Sequence, residues 1–189
     1  MQPILPTLKT QRLLLRPCTR DDEADLHTIY WNTMPDELAR QSKARRPNRR
    51  DIREENEYYL SFASYPFLRP FGRMLVILQE DGAKIGTCLI IPHVFTPEEV
   101  ALCSENGLNR FGTLEVIIGW SLTIPYRGLG YGTETARALV DYGLNTLQLQ
   151  RLLAETVLEN HASIRVMKKI GMEIVSPPDS PQVIGMVER

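Results

Sequence analysis

Arg127-Gly128-Leu129-Gly130-Tyr131-Gly132-Thr133 places three glycines within five residues. Glycine adopts left-handed backbone freely and has no Cβ to hold a ligand away. Upstream, Thr113 to Leu122 is rich in apolar, β-branched and aromatic residues and reads as a buried strand. Downstream, Glu134 to Tyr142 reads as an amphipathic helix. A glycine turn between the two leaves the helix's first amides without helical partners, and the helix dipole adds partial positive charge there. That arrangement cradles phosphate. The same glycines also fit a tight turn with no ligand. Two other phosphate motifs fail on spacing. No Gly-Lys-Ser/Thr follows, as a P-loop requires, and glycines spaced two apart do not make G-x-G-x-x-G.

The pattern that fits is Arg/Gln-x-x-Gly-x-Gly/Ala, met by Arg127, Gly130 and Gly132. With it the chain resembles the GNAT superfamily of acyl-CoA-dependent N-acetyltransferases. Thr10-Gln11-Arg12-Leu13-Leu14-Leu15-Arg16 is similar to the family's first strand. The run from Asn160 to Met172 is similar to its last helix and the strand entry after it. The branch resembled is that of the ribosomal-protein N-terminal acetyltransferases, and the likeness spans nearly the whole chain. It implies a mixed α/β fold: a central, mostly antiparallel sheet with a splayed parallel strand pair, flanked by helices. It also implies acetyl-CoA as acyl donor. The pyrophosphate would meet the amides of Arg127, Gly128, Leu129, Gly130, Tyr131, Gly132 and Thr133. Pantetheine would lie along the main chain of Ile118, Trp120 and Leu122, with an N–H near Ile118 to Trp120 on the thioester oxygen. Asn160 would contact the cofactor or its pantetheine arm.

Acetyl transfer to an amine needs a donor to the developing oxyanion, a base for the amine proton and an acid for the thiolate. Two positions depart from the family pattern. The common strand glutamate falls at Ile117, and the common tyrosine acid falls at Met167. Glu115 lies two residues before Ile117 and faces the same side by strand alternation, so it is the candidate base. It also reads as a strand-end glutamate facing water. Ser163 is the candidate replacement acid, and equally a first-turn helix residue. Asn160 fits an ordinary helix N-cap as well as a cofactor contact. His93 and His161 are weaker candidates as proton carriers, histidine being the residue type suited to that role near neutral pH. Cys88 and Cys103 read as a strand filler and a loop thiol, with no Cys–His partner in the sequence.

The first reading is therefore an N-acetyltransferase working by direct attack of a primary amine, either a small molecule or a protein N-terminus. The second is a binding module that holds acyl-CoA without transfer, motivated by the missing glutamate and tyrosine. A dinucleotide oxidoreductase is a third, weakened by the glycine spacing and the lack of a βαβ repeat.

The elements that must position these groups follow in order. A strand over Gln11 to Arg16 stops at Pro17. Thr19 caps a helix over Arg20 to Trp31, and a second helix spans Arg49 to Ala63. The irregular stretch Asn32 to Pro47, with these helices, would wall the acceptor site. Strands over Arg73–Gln79 and Lys84–Val94 flank the turn signal Asp81-Gly82, and Gly86 suggests a bulge. After the long loop Thr96 to Gly112 come the central strand, the glycine loop and a helix to about Leu147. A strand over Arg151–Leu158, a helix ending at Gly171 and strands over Met172–Val175 and Gln182–Val187 complete the chain.

The 189 residues suit a single domain, 1–189, with ordinary hydrophobic (43%) and charged (24%) content. A net charge of −1 gives no basic surplus for nucleic acid, and the cluster Lys43 to Arg50 reads as a solvated loop. No apolar run is long enough to span a bilayer. Three scattered cysteines, Cys18, Cys88 and Cys103, give neither a disulfide framework nor a metal site. A cytoplasmic monomer or homodimer is expected.

Overall fold

A computed structural model of the chain describes residues 4–33, 47–95, 113–176 and 181–189. Its strands are β1 (Leu8–Lys9), β2 (Leu13–Pro17), β3 (Gly72–Leu78), β4 (Lys84–Phe95), β5 (Thr113–Leu122), β6 (Arg151–Val157), β7 (Glu173–Val175) and β8 (Gln182–Glu188). Its helices are α1 (Glu23–Thr33), α2 (Arg49–Ser61), α3 (Tyr131–Asp141) and α4 (His161–Lys169). The strands form one sheet in the order β1-β2-β3-β4-β5-β6-β8-β7. This is the mixed α/β fold expected, mostly antiparallel with a parallel β5–β6 pair. The stretch Asn32 to Pro47, expected to wall the acceptor site, and the long loop Thr96 to Gly112 fall largely outside the described residues.

The chain divides into two compact units, the first comprising 1–89 and 120–135 and the second 90–119 and 136–189. In the first, β2 pairs antiparallel with β3 from Leu13 opposite Leu78 to Pro17 opposite Met74. Leu13 and Leu15 alternate inward and are fully buried. Pro17 is the last strand residue rather than the stop expected, since a missing N–H is tolerated at a strand end. Helices α1 and α2 bury Leu26, Ile29 and Ile52 against Cys18 and Leu75.

Thr19 leads not directly into α1 but into a single tight turn, Arg20–Asp22. Asp22 is the reason. Its buried carboxylate accepts from Thr19 N at 2.7 Å, Thr19 Oγ1 at 2.9 Å and the Arg16 guanidinium at 2.6 and 3.0 Å. Burial raises the Asp22 pKa, but the Arg16 and Thr19 donors outweigh it and hold the group below its ordinary 3.8. A depressed folded pKa contributes stability above the unfolded value, which is lost as pH falls below about 3.8. Asp22→Asn should therefore flatten the acid limb of stability, read as denaturation midpoints between neutral and acid pH. It should also cost about 2 kcal/mol at neutrality, by leaving Arg16 short of its anion.

In the second unit, β6 pairs antiparallel with β8 at seven positions, Arg151 opposite Glu188 through Val157 opposite Gln182. Strand β7 returns on β8. By contrast, among the described residues, the parallel β5–β6 pair is in register at Ile117 opposite Leu153. Helix α3 continues into one wide turn, Tyr142–Thr146, instead of running on as α-helix to Leu147. Such a turn inserts one residue into the helical ladder. Here it buries Tyr142, Gly143 and Leu144, and a Cβ on Gly143 would stand 2.6 Å from Leu152 Cδ1.

Candidate active site

The glycine loop has the backbone that its composition requires. Gly128 and Gly130 lie at φ 76° and 87°, the left-handed region that β-carbons disfavour. Helix α3 begins at Tyr131, three residues earlier than the sequence suggests, so Gly132 and Thr133 belong to its first turn. The first helical bond runs from Glu134 N to Gly130 O at 3.1 Å. The amides of Tyr131, Gly132 and Thr133 precede it and are the helix's orphan donors. A Cβ on Gly128 would meet nothing within 4 Å, so that face is open.

Arg127 turns its side chain onto main chain. Its Nε donates to Leu122 O at 2.9 Å, and its NH2 donates to Thr33 O. Burial lowers its pKa from the ordinary value. The residue therefore anchors the end of β5 to the end of α1, and its side chain is turned to main chain there.

A second arginine stands at the loop instead. Arg12 Nε donates to Glu134 Oε2 at 2.7 Å, and its NH1 donates to Leu129 O at 3.1 Å. Its guanidinium lies 4.3 Å from the centroid of the Tyr131 ring. Glu134 Oε1 also accepts from Thr10 Oγ1 at 2.6 Å and Arg12 N at 2.8 Å. Burial raises the Glu134 pKa, but these donors more than offset it, and the net shift is downward. The sequence reading assigned Thr10 to Arg16 only to a strand and missed this network. The one local signal was a polar Thr-x-Arg ahead of the apolar alternation.

In β5, Ile118 and Leu122 are buried and Trp120 is half-buried. Ile117, at the position where relatives hold a glutamate, packs against Leu153 and Ile184. Glu115 shares its face. Both carboxylate oxygens are engaged by Arg151, Oε2 at 2.8 Å from Nε and Oε1 by NH2. The Glu115 side chain is 11% exposed. It does not face water as a strand-end glutamate would.

Asn160 caps α4, its Oδ1 accepting from Ser163 N at 3.2 Å. The local reading of Asn160 as an N-cap is what the structure shows, and it places Ser163 in the first turn, half-buried. Met167, where relatives carry the tyrosine acid, is buried at 1% exposure, and its side chain packs over Gly185. His161 is exposed at the start of α4 and His93 is half-buried in β4. Cys18 and Cys88 are free and buried, and burial pushes the Cys18 thiol up to about 12 and Cys88 up as well. Neither thiol is activated as a nucleophile. Cys103 lies outside the described residues.

Residues 12–173 match the family described as Acetyltransferase (GNAT) domain. The chain belongs to the GNAT acetyltransferase family. The uncharacterized protein YkkB of Bacillus subtilis (strain 168) is 30% identical over 171 residues, 87% of this chain and 84% of YkkB. The uncharacterized N-acetyltransferase YnaD of the same strain is 44% identical over 62 residues, but that match spans only 33% of this chain and 36% of YnaD. Among solved GNAT structures, an acetyltransferase from Agrobacterium tumefaciens str. C58 superposes with a TM-score of 0.70 at 23% identity, covering 100% of this chain and 98% of the other. RimL, a ribosomal L7/L12 alpha-N-protein acetyltransferase in complex with coenzyme A, gives 0.66 at 13% identity, covering 98% of each chain. At these identities the structural likeness is one of fold. GNAT membership makes the chain an acyltransferase domain, and GNAT neighbours bind coenzyme A.

Proposed function

We propose that this chain transfers an acetyl group from acetyl-CoA to a primary amine by direct attack on the thioester. The observation that carries the reading is the backbone of the glycine loop. Two left-handed glycines set the orphan amides of an 11-residue helix beside an open glycine face. A Cβ on Gly130 would crowd Arg12 NH2 at 3.3 Å, and the open face at Gly128 fits a bound diphosphate. When bound, acetyl-CoA supplies the acetyl thioester.

In this reading the amides of Arg127 to Thr133 hold the diphosphate. Main chain at Ile118, Trp120 and Leu122 holds pantetheine, and an N–H among them polarises the thioester carbonyl. The brief β5–β6 register supports this, because strands that part leave backbone groups free for a ligand. Asn160 positions the pantetheine arm in addition to capping α4. Ser163 Oγ passes a proton to the leaving thiolate, and Glu115 takes the proton from the amine. Arg151 engages both oxygens of Glu115, so one of them must leave Arg151 for the transfer. The family match runs through both compact units, which supports one functional domain over 1–189. Among the described residues no helix is long and apolar enough to cross a membrane. That and the free thiols Cys18 and Cys88 favour a cytoplasmic setting. The acceptor class is a small amine or a protein N-terminal amine, and the protein works as a monomer or homodimer.

A second reading keeps acyl-CoA binding without transfer. Ile117 packed into apolar surroundings and Met167 buried favour it, because both family proton-transfer positions are filled by core side chains. Thiol release from acetyl-CoA with a panel of polyamines, amino sugars and peptides separates the two. The enzyme reading expects turnover with at least one amine, and Glu115→Gln should then lower kcat about 100-fold. Binding with no thiol release across the panel would favour the module. Turnover unchanged in Glu115→Gln would remove Glu115 from the chemistry and leave the transfer reading standing.

A further inference from the structure

Resting on the reading of the glycine loop as a diphosphate site, we propose that Arg12 supplies the side-chain positive charge of that site, with Glu134 and Thr10 as its positioning residues. Three interactions fix the guanidinium: Nε on Glu134 Oε2, NH1 on Leu129 O and the cation over the Tyr131 ring. What they leave over is NH2, which donates to no described residue. This nitrogen stands 3.3 Å from where a Cβ of Gly130 would be, so it faces the loop on the side that glycine leaves open. The Arg12 side chain is 42% exposed and within reach of a ligand. Arg127, the arginine of the loop motif, points its guanidinium at Leu122 O and Thr33 O and leaves the role vacant.

The presentation of Arg12 is rigid. Thr10 N donates to Leu13 O at 2.9 Å, Gln79 N donates to Arg12 O at 2.9 Å, and Gln79 Nε2 donates to Thr10 O at 2.8 Å. The Thr10 to Leu13 turn is thus tied to the end of β3. Electrostatics explains the need for it. Glu134 is an ionised carboxylate in the first turn of α3, where its own charge opposes an incoming diphosphate. Arg12 offsets that charge and is held, by the same contact, with a free fork arm at the loop.

The test is calorimetric titration of coenzyme A into the full chain at low and high ionic strength. The variants are Arg12→Gln, Arg12→Lys and Glu134→Gln, each verified as folded by thermal melting. Arg12→Gln should weaken binding about 10-fold or more and flatten its salt dependence. Arg12→Lys keeps the point charge and should keep the salt dependence even where affinity falls. Glu134→Gln keeps an amide oxygen for Thr10 and Arg12 N but sets an NH2 against Arg12 Nε. It loosens the guanidinium while removing the opposing charge, so binding should weaken less than in Arg12→Gln and keep its salt dependence. A mere strut predicts otherwise. Glu134→Gln would then weaken binding as much as Arg12→Gln, and the salt slope would be the same in every variant. Either result overturns the proposal, as does wild-type affinity in Arg12→Gln. Failure of the wild-type chain itself to bind coenzyme A would overturn the diphosphate reading beneath it.

Discussion

Gly130→Glu should reduce acetyl-CoA affinity by at least about 100-fold while the chain stays folded. Three effects act together. The backbone sits at φ 87°, where a side chain costs about 1–2 kcal/mol and so favours a shifted loop that no longer presents its amides to the ligand. The new Cβ would stand 3.3 Å from Arg12 NH2, tighter than an ordinary contact. The added carboxylate would lie beside the orphan amides of Tyr131, Gly132 and Thr133, take the place meant for phosphate and repel it. Two kcal/mol or more of lost binding corresponds to a factor of about 30, and charge repulsion raises it further. Calorimetry with acetyl-CoA on wild type, Gly130→Glu and Gly130→Ala measures the parts. Alanine carries the strain without the charge, so its loss should be the smaller. Wild-type affinity in Gly130→Glu would mean that the loop is only a turn.

The largest loss of stability is expected at Gly86→Ala, about 3 kcal/mol or more. A Cβ at Gly86 would lie 2.2 Å from Ser121 O, 2.8 Å from Leu122 Cδ2 and 3.1 Å from Leu122 Cα. Two of these atoms are backbone, so no rotamer change relieves the overlap and β5 itself must move. The nearby bonds resist that movement. Thr123 donates to Ile85 O through both N, at 2.9 Å, and Oγ1, at 3.1 Å. Gly82→Ala is the matched control. Gly82 has φ 75° and nothing within 4 Å of its Cβ position, so only backbone strain of about 1 kcal/mol is lost there. Denaturant midpoints for the two variants check the ordering. Equal midpoints would contradict the close approach of β4 to β5. Because Ser121 and Leu122 end the strand proposed to hold pantetheine, residual folded Gly86→Ala should also bind acetyl-CoA more weakly.

Gly86 shows how a correct signal takes its meaning from a distant part of the chain. A glycine inside an apolar strand reads as a bulge or a close approach, and the strand alone does not say which. The answer is a carbonyl oxygen at Ser121. Glu115 is similar. Alternation correctly places it on the face of Ile117, yet its partner is Arg151, one strand further along the sheet. Arg12 pairs with Glu134 across 122 positions of sequence, and nothing local to either residue announces the other.

By itself the sequence determined the elements whose causes are local. Apolar periodicity set the central strand, positive-φ glycines set the loop, and an asparagine one residue before a helix set its cap. These depend on backbone sterics and on hydrogen bonds within a few residues, and pattern expresses both directly. Motif spacing carried the family. Tertiary structure alone decided which charges meet: that Arg127 holds main chain while Arg12 faces the glycine loop, and that Arg151 takes both oxygens of Glu115. Such pairings follow from strand order and register, and long-range pairing is invisible to a period of 2 or 3.6 residues.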